Sequence, residues 1–245
     1  MVSAYATAFN VTGNEQYRQK AIALMTKCAD AFRVGPKLRC YNQNAPDSIA
    51  AGRAFLYGLA LQSALDLSVI DPQKRWTDWS EDLATTSAEL FTDEKFLKEC
   101  PDYAQIIKLP VTDVLMVYGE STAGLFSQAE CRLAERGRPL VESFSRLVTI
   151  LPNYTMQQPL LHTDLLLGTL AREFKVTIVS GENLSPELKL ATQSLPLRMF
   201  QYRPADAKDK VPDGSVMIIL GNGQQQVVST PAALHQAVLP SAQKS

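Results

Sequence analysis

The sequence is poor in the residues that most often carry chemistry. It has two histidines, His162 and His235, far apart in the chain. A metal-binding or catalytic pair needs them together, and nothing in their spacing does that. Four cysteines, Cys28, Cys40, Cys100 and Cys131, stand 12, 60 and 31 residues apart with no C-x-x-C pair. That spacing disfavours zinc sites and thioredoxin-type redox motifs, which bring two thiolates within one turn, and points to a reducing compartment or to buried thiols. Charge of one sign is missing too. The 24 Lys+Arg and 25 Asp+Glu leave a net charge of −1, and without basic runs no nucleic-acid partner held by phosphate contacts is expected. No apolar stretch approaches the roughly 20 residues of a membrane span. The opening Met1-Val2-Ser3-Ala4-Tyr5 lacks the charged and apolar regions of a signal peptide. A cytoplasmic chain with no membrane partner and no cofactor is the expectation.

What is present is an ordinary globular composition. The 245 residues are 46% hydrophobic, with 14 Pro and 12 Gly. That suffices for one large domain or two small ones and excludes disorder for the bulk. Met1 to Val11 carries apolar residues at a helical repeat and stops at Thr12-Gly13-Asn14, a turn signal. Tyr17, Ala21, Leu24, Cys28 and Phe32 define the apolar face of a second helix, which Gly35-Pro36 should end. Asp47 or Ser48 can cap a third, from about Ile49 to Ile70, closed by Asp71-Pro72. Trp76, Leu83, Ser87, Leu90 and Phe91 line a fourth. Residues 94 to 119 read as an irregular connection with one short strand. Helices are then predicted over about 121–136 and 138–150, and after Pro159 to near Glu173. Seven helices in antiparallel pairs predict an α/α toroid or part of one, with a simple bundle as the alternative.

Near residue 174 the period changes. Phe174 to Val179, Leu197 to Tyr202 and Ser215 to Leu220 read as strands. Ser185-Pro186-Glu187 opens a helix with an N-cap and an N1 proline, and Pro231 to Val238 forms another. The expected organisation is mainly α. A partial toroid of helical hairpins spans 1–173 and a small α/β module spans 174–240, with 204–214 as a flexible connection inside it.

Motifs with chemical meaning are incomplete. Gly221-Asn222-Gly223 follows a strand, yet lacks the remaining elements of a phosphate loop and reads as a tight turn. Gly119-Glu120-Ser121-Thr122-Ala123 misses the last glycine of a nucleophile elbow, so Ser121 reads as a helix cap. His162 and Asp164 are two residues apart and would face different ways on a helix. Tyr41, Tyr57, Trp76, Trp79, Tyr103 and Tyr118 allow two readings, the lining of a sugar cavity or core.

Several segments, in order, resemble one family. Met1-Val2-Ser3-Ala4-Tyr5-Ala6 resembles its W-N-G-L-M-[IV]-S-A-x-A helix. Tyr57 to Leu67 resembles Y-A-x-L-I-x-A-L-L-D-L, and Ala88 to Glu94 resembles E-L-F-W-D-E. Val176 to Gly181 resembles V-V-I-V-G, and Val228 to Pro231 the final V-T-D-P. The family is that of thioredoxin-domain-containing proteins related to the mammalian spermatogenesis-associated thioredoxin-like protein. The resemblance implies the C-terminal part of such a protein: an (α/α)6 barrel similar to N-acylglucosamine 2-epimerases and six-hairpin glycosidases, then an α/β tail, without the thioredoxin domain. Two aspartates of the family's F-L-D-D-Y-A are replaced in Phe55-Leu56-Tyr57-Gly58, and its P-S-x-N-S survives at Ser121 alone. An acid–base pair cannot come from absent residues. The implied function is a non-catalytic or degenerate toroid that binds or scaffolds, with a sugar ligand or with a partner chain on an exposed apolar flank. The alternative is a carbohydrate-active enzyme, an epimerase or a glycosidase, using Tyr57, Tyr118, Glu120 and Ser121 in a residual cavity.

Overall fold

A computed structural model describes residues 1–40, 51–71, 73–92, 97–104, 119–134, 157–196 and 200–238. The protein is mainly helical with a small sheet module at its C-terminal end. Helix α1 (Val2–Thr12) ends where Gly13 takes the left-handed conformation at φ 66° and donates its N–H to the Phe9 carbonyl. Asn14 then caps α2 (Glu15–Phe32), its side chain accepting from the Gln16 N–H. The second helix stops at Phe32, earlier than Gly35-Pro36 suggested. Arg33–Val34 (β1) and Lys37–Leu38 (β2) form a two-residue hairpin, and Gly35, at φ 60°, turns it.

Helix α3 (Ala54–Ile70) starts later than predicted. Ala51 bridges Arg39, and Gly52 sits against the Leu38 carbonyl, so the chain stays extended up to Arg53. The proposed caps Asp47 and Ser48 lie outside the described residues. Asp71 ends α3 and accepts the indole N–H of Trp76 at 2.7 Å, which fixes the entry of α4 (Lys74–Phe91). A bridge joins Thr92 to Leu97, and a short 3-10 turn follows at Asp102–Ala104. Next come α5 (Thr122–Ala134), a 3-10 turn at Pro159–His162, and α6 (Thr163–Phe174). The helix expected over 138–150 lies outside the described residues. Among the described residues, no helix is long and apolar enough to cross a membrane.

Contacts fix the directions of these helices. Tyr5 stacks on Tyr17 across the first hairpin, and Tyr57 near the start of α3 meets Phe91 at the end of α4, so both pairs are antiparallel. Helices α3, α5 and α6, by contrast, run the same way. Gln62 meets Leu125 and Asp66 meets Arg132; Ser121 meets Asp164 and Cys131 meets Gly168. Burial sorts them into layers. Helix α2 buries only Ala21 and Met25, whereas α3 is buried around much of its circumference and α5 from Thr122 to Leu133. A helix apolar on one stripe belongs outside, and one buried all round belongs in the middle.

The C-terminal module is a four-stranded sheet in the order β4-β3-β5-β6. Its strands are β3 (Val176–Ser180), β4 (Gln201–Pro204), β5 (Val216–Leu220) and β6 (Gln225–Val228). Strand β4 is parallel to β3, and the other pairings are antiparallel. The parallel pair requires a crossover, which α7 (Pro186–Ser194) supplies, with Ser185 accepting from the Leu188 N–H as its cap. Helix α8 (Pro231–Val238) closes the module. Ile178, Leu188, Val216, Ile218 and Leu234 form its core. The ring of Tyr202 packs on this core and on the helical one, and α1 packs against α7. The stretch from Pro204 to Gly214, read from composition as flexible, is tied by a fork between Arg203 and Asp209 and by the Asp206 carboxylate on the Lys208 N–H.

Candidate functional site

Three parallel helices place three N-termini at one end of the helical part. Each leaves backbone N–H groups without helical partners and adds the positive end of a dipole. Carboxylates gather there. Glu99 accepts the Phe55 N–H at 3.3 Å at the start of α3 and the Thr122 hydroxyl at 2.9 Å at the start of α5. Its own carbonyl takes the Ala54 N–H at 2.9 Å. Asp164 does the same work between α5 and α6. One of its oxygens accepts the Ser121 N–H at 2.6 Å and the Ser121 hydroxyl at 2.7 Å, and the other accepts the Leu165 N–H at 2.9 Å. The Ser121 oxygen in turn accepts the Gly124 N–H at 2.9 Å. Ser121 is thus the cap of α5, as the sequence suggested, held from behind by a residue 43 positions away.

Glycine makes the close approach feasible. A Cβ at Gly124 would stand 2.8 Å from the Asp164 Cβ and closer still to its carboxylate. One turn on, a Cβ at Gly168 would press on Ser127. Small residues at these crossings let α5 and α6 meet backbone to backbone.

A second buried constellation lies further along α5. The Arg132 guanidinium donates to Asp66 at 2.7 Å and to the Gln62 amide oxygen at 3.0 Å, while the Gln62 amide nitrogen donates to the Leu125 carbonyl at 2.7 Å. Both charged side chains are nearly sealed, at 4% and 2% exposure. The other terminal nitrogen of Arg132 is buried without a hydrogen-bond partner.

The four residues singled out for a sugar site have different surroundings. Tyr57 is fully buried, accepts the Leu38 N–H at 2.7 Å through its hydroxyl, and packs edge-on to Phe91. Burial pushes its phenol up to about 12, against the lowering effect of the Leu38 bond. Ser121 is fully buried in the bonds described above. Glu120, half-buried, precedes it. Tyr118 lies outside the described residues. Ser121 and Glu120 share the start of α5, whereas Tyr57 belongs to the wall between α3 and α4. Of the other aromatics, Trp76 and Trp79 are core, and Tyr103 is exposed under the Lys37 ammonium. His162 is buried at the end of its 3-10 turn, immediately before α6.

The arrangement limits what these groups can do. A serine nucleophile needs an approach route and a base that can take its proton. Ser121 already donates to Asp164, and both side chains are shut off from solvent. The Cys131 thiol, pushed up to about 11 by burial and then by the Glu130 charge, stays protonated at neutral pH and is a poor nucleophile. The four cysteines are free. Sequence reasoning weighed Asp164 only as a dyad partner for His162 and missed Glu99, Gln62, Asp66 and Arg132. The available signal was polar residues on otherwise apolar helix faces, Gln62 and Asp66 in α3 and Gln128 and Arg132 in α5. No protein-family model and no curated protein matches the chain.

Proposed function

We propose that this chain is a non-catalytic, degenerate α/α-toroid domain with a binding or scaffolding role, related in architecture to the sugar-epimerase-like barrels of the thioredoxin-domain-containing family. The observation that carries this reading is the Ser121–Asp164 pair. The one serine that survives from the family's helix start is bonded on every side as a structural cap. Arg132, Asp66 and Gln62 are engaged with one another in the same way. The parallel run of α3, α5 and α6, with α4 returning antiparallel to α3, supports the toroid, because consecutive hairpins in such a ring repeat one of their helices in the same direction.

A scaffold needs a face for its partner. Leu160, Leu161, Leu167, Leu170 and Phe174 are exposed on α6 and the turn before it. Soluble monomers seldom expose contiguous apolar area of this kind, which supports a partner chain on this flank. The test of the functional reading is ligand-observed NMR with a panel of mono- and disaccharides, run beside product analysis. Weak binding or none, without epimerisation or hydrolysis, is the expected result. Conversion that disappears in Glu120→Gln would overturn the non-catalytic reading in favour of a carbohydrate-active enzyme.

A further inference from the structure

The two edges of the C-terminal sheet are built differently. Strand β4 ends on Pro204, and its Arg203 is clamped by Asp209. Proline and a fixed charge are among the usual means of closing a sheet edge. Strand β6 has neither. Its sequence Gln225-Gln226-Val227-Val228 carries no charge and no proline, and Gln225, Gln226 and Val227 are exposed.

The register shows which groups β6 turns outward. Leu220 donates to the Gln224 carbonyl across the hairpin, and the ladder pairs Ile218 with Gln226 and Val216 with Val228. Hydrogen-bonded and non-hydrogen-bonded pairs alternate in an antiparallel ladder, so these three pairs are the bonded ones. Gln225 and Val227 therefore point their N–H and C=O groups away from β5. Among the described residues nothing pairs with them.

We propose that β6 pairs with β6 of a second copy of this chain, antiparallel about a two-fold axis at Gln226. Gln225 of one copy then lies opposite Val227 of the other, each such pair exchanges both its bonds, and the two sheets become one. Gln226 faces Gln226 of the partner subunit, where the amides can bond to each other. The occupant is argued from charge. In an isologous contact a residue at the axis meets its own copy, so any charge there would face a like charge. From Gly214 to Gln243 the chain contains no Asp, Glu, Lys or Arg, which removes that repulsion from β6, its turn and α8 together.

Sedimentation equilibrium on the full chain tests this directly. The mass should rise with concentration from 27.0 kDa toward twice that value, and Gln226→Lys should weaken the association at least tenfold while the circular dichroism is unchanged. Under mild oxidation Gln226→Cys should cross-link, because a non-hydrogen-bonded pair brings the Cα atoms to about 4.5 Å, within disulfide reach. Gln224→Cys should not, since its copy lies four residues, about 13 Å, further along the ladder. Wild type held at 27.0 kDa at every concentration, association untouched by Gln226→Lys, or equal cross-linking of the two cysteine variants would each overturn the proposal. Association untouched by Gln226→Lys would place the contact elsewhere, for instance on α6.

Discussion

Helices α5 and α6 lie side by side and run the same way, yet they meet solvent in opposite fashion. Helix α5 is buried along its length and takes Thr122, Ser127, Gln128, Glu130 and Arg132 inside with it. Helix α6 buries Asp164, Leu165 and Ala171 and leaves Leu167, Leu170 and Phe174 outside. The difference lies in position. A central helix touches neighbours on every side, and its polar groups persist because most find partners: Arg132 on Asp66 and Gln62, Gln128 on the Asp164 carbonyl, Thr122 on Glu99. An edge helix needs one packed face, and α6 packs its small and polar residues, Gly168 and Asp164, against α5.

Breaking the buried pair should have the largest effect. Arg132→Met leaves Asp66 charged and buried among apolar neighbours, and urea unfolding should report a loss of about 3–5 kcal/mol. The double variant with Asp66→Leu should recover much of it, since neither charge is then stranded. If the single variant cost no more than an exposed substitution, α5 would not be the sealed helix described. Gly124→Ala comes next. Its methyl group meets the Asp164 carboxylate, so α5 and α6 must separate, and about 1–3 kcal/mol should be lost. An unchanged thermal midpoint would mean that the close crossing does not exist.

The wall behind the site can be read by pH. Tyr57 ionises near 10.0 when unfolded and is held protonated to about 12 when folded. Its contribution to stability is therefore complete below pH 10.0 and lost as pH rises toward about 12. Urea midpoints for wild type should fall through that window, and those of Tyr57→Phe should fall less. At the acid end, the Arg203 fork and the Asp206 N–H hold Asp209 down to about 2, from an ordinary 3.8. That contribution is present above pH 3.8 and disappears as pH falls toward about 2. The smallest effect belongs to α6. Leu167→Gln with Leu170→Gln should leave stability within about 0.5 kcal/mol, as for ordinary surface changes, while lowering the binding of an apolar dye.

Local signals carried much of the fold. Thr12-Gly13-Asn14, Ser185-Pro186 and Gly221-Asn222-Gly223 each produce the turn or cap that their chemistry dictates. Boundaries shifted where a distant residue intervened. Helix α3 begins at Ala54 because Glu99 receives its first N–H groups. The second strand of the module occupies 201–204 and runs past the Tyr202 end of the predicted 197–202, of which 197–199 lie outside the described residues. Strand β6 was missed because three consecutive glutamines lack the β-branched signature that marked β5. The site was less legible still. Ser121 read correctly as a cap, but Asp164 lies 43 residues from it and Asp66 lies 66 from Arg132. Pairings of that separation depend on which helices become neighbours, and no periodicity encodes it.

The start of α5 is a closed structural joint. Native-state hydrogen exchange at the Ser121 amide, which donates to Asp164 at 2.6 Å with both residues sealed from solvent, tests it most directly. This amide should exchange only through global unfolding, with an opening free energy equal to that of the whole domain. Exchange through a low-energy local opening, at the rate of a loop or a ligand-admitting cleft, would contradict it.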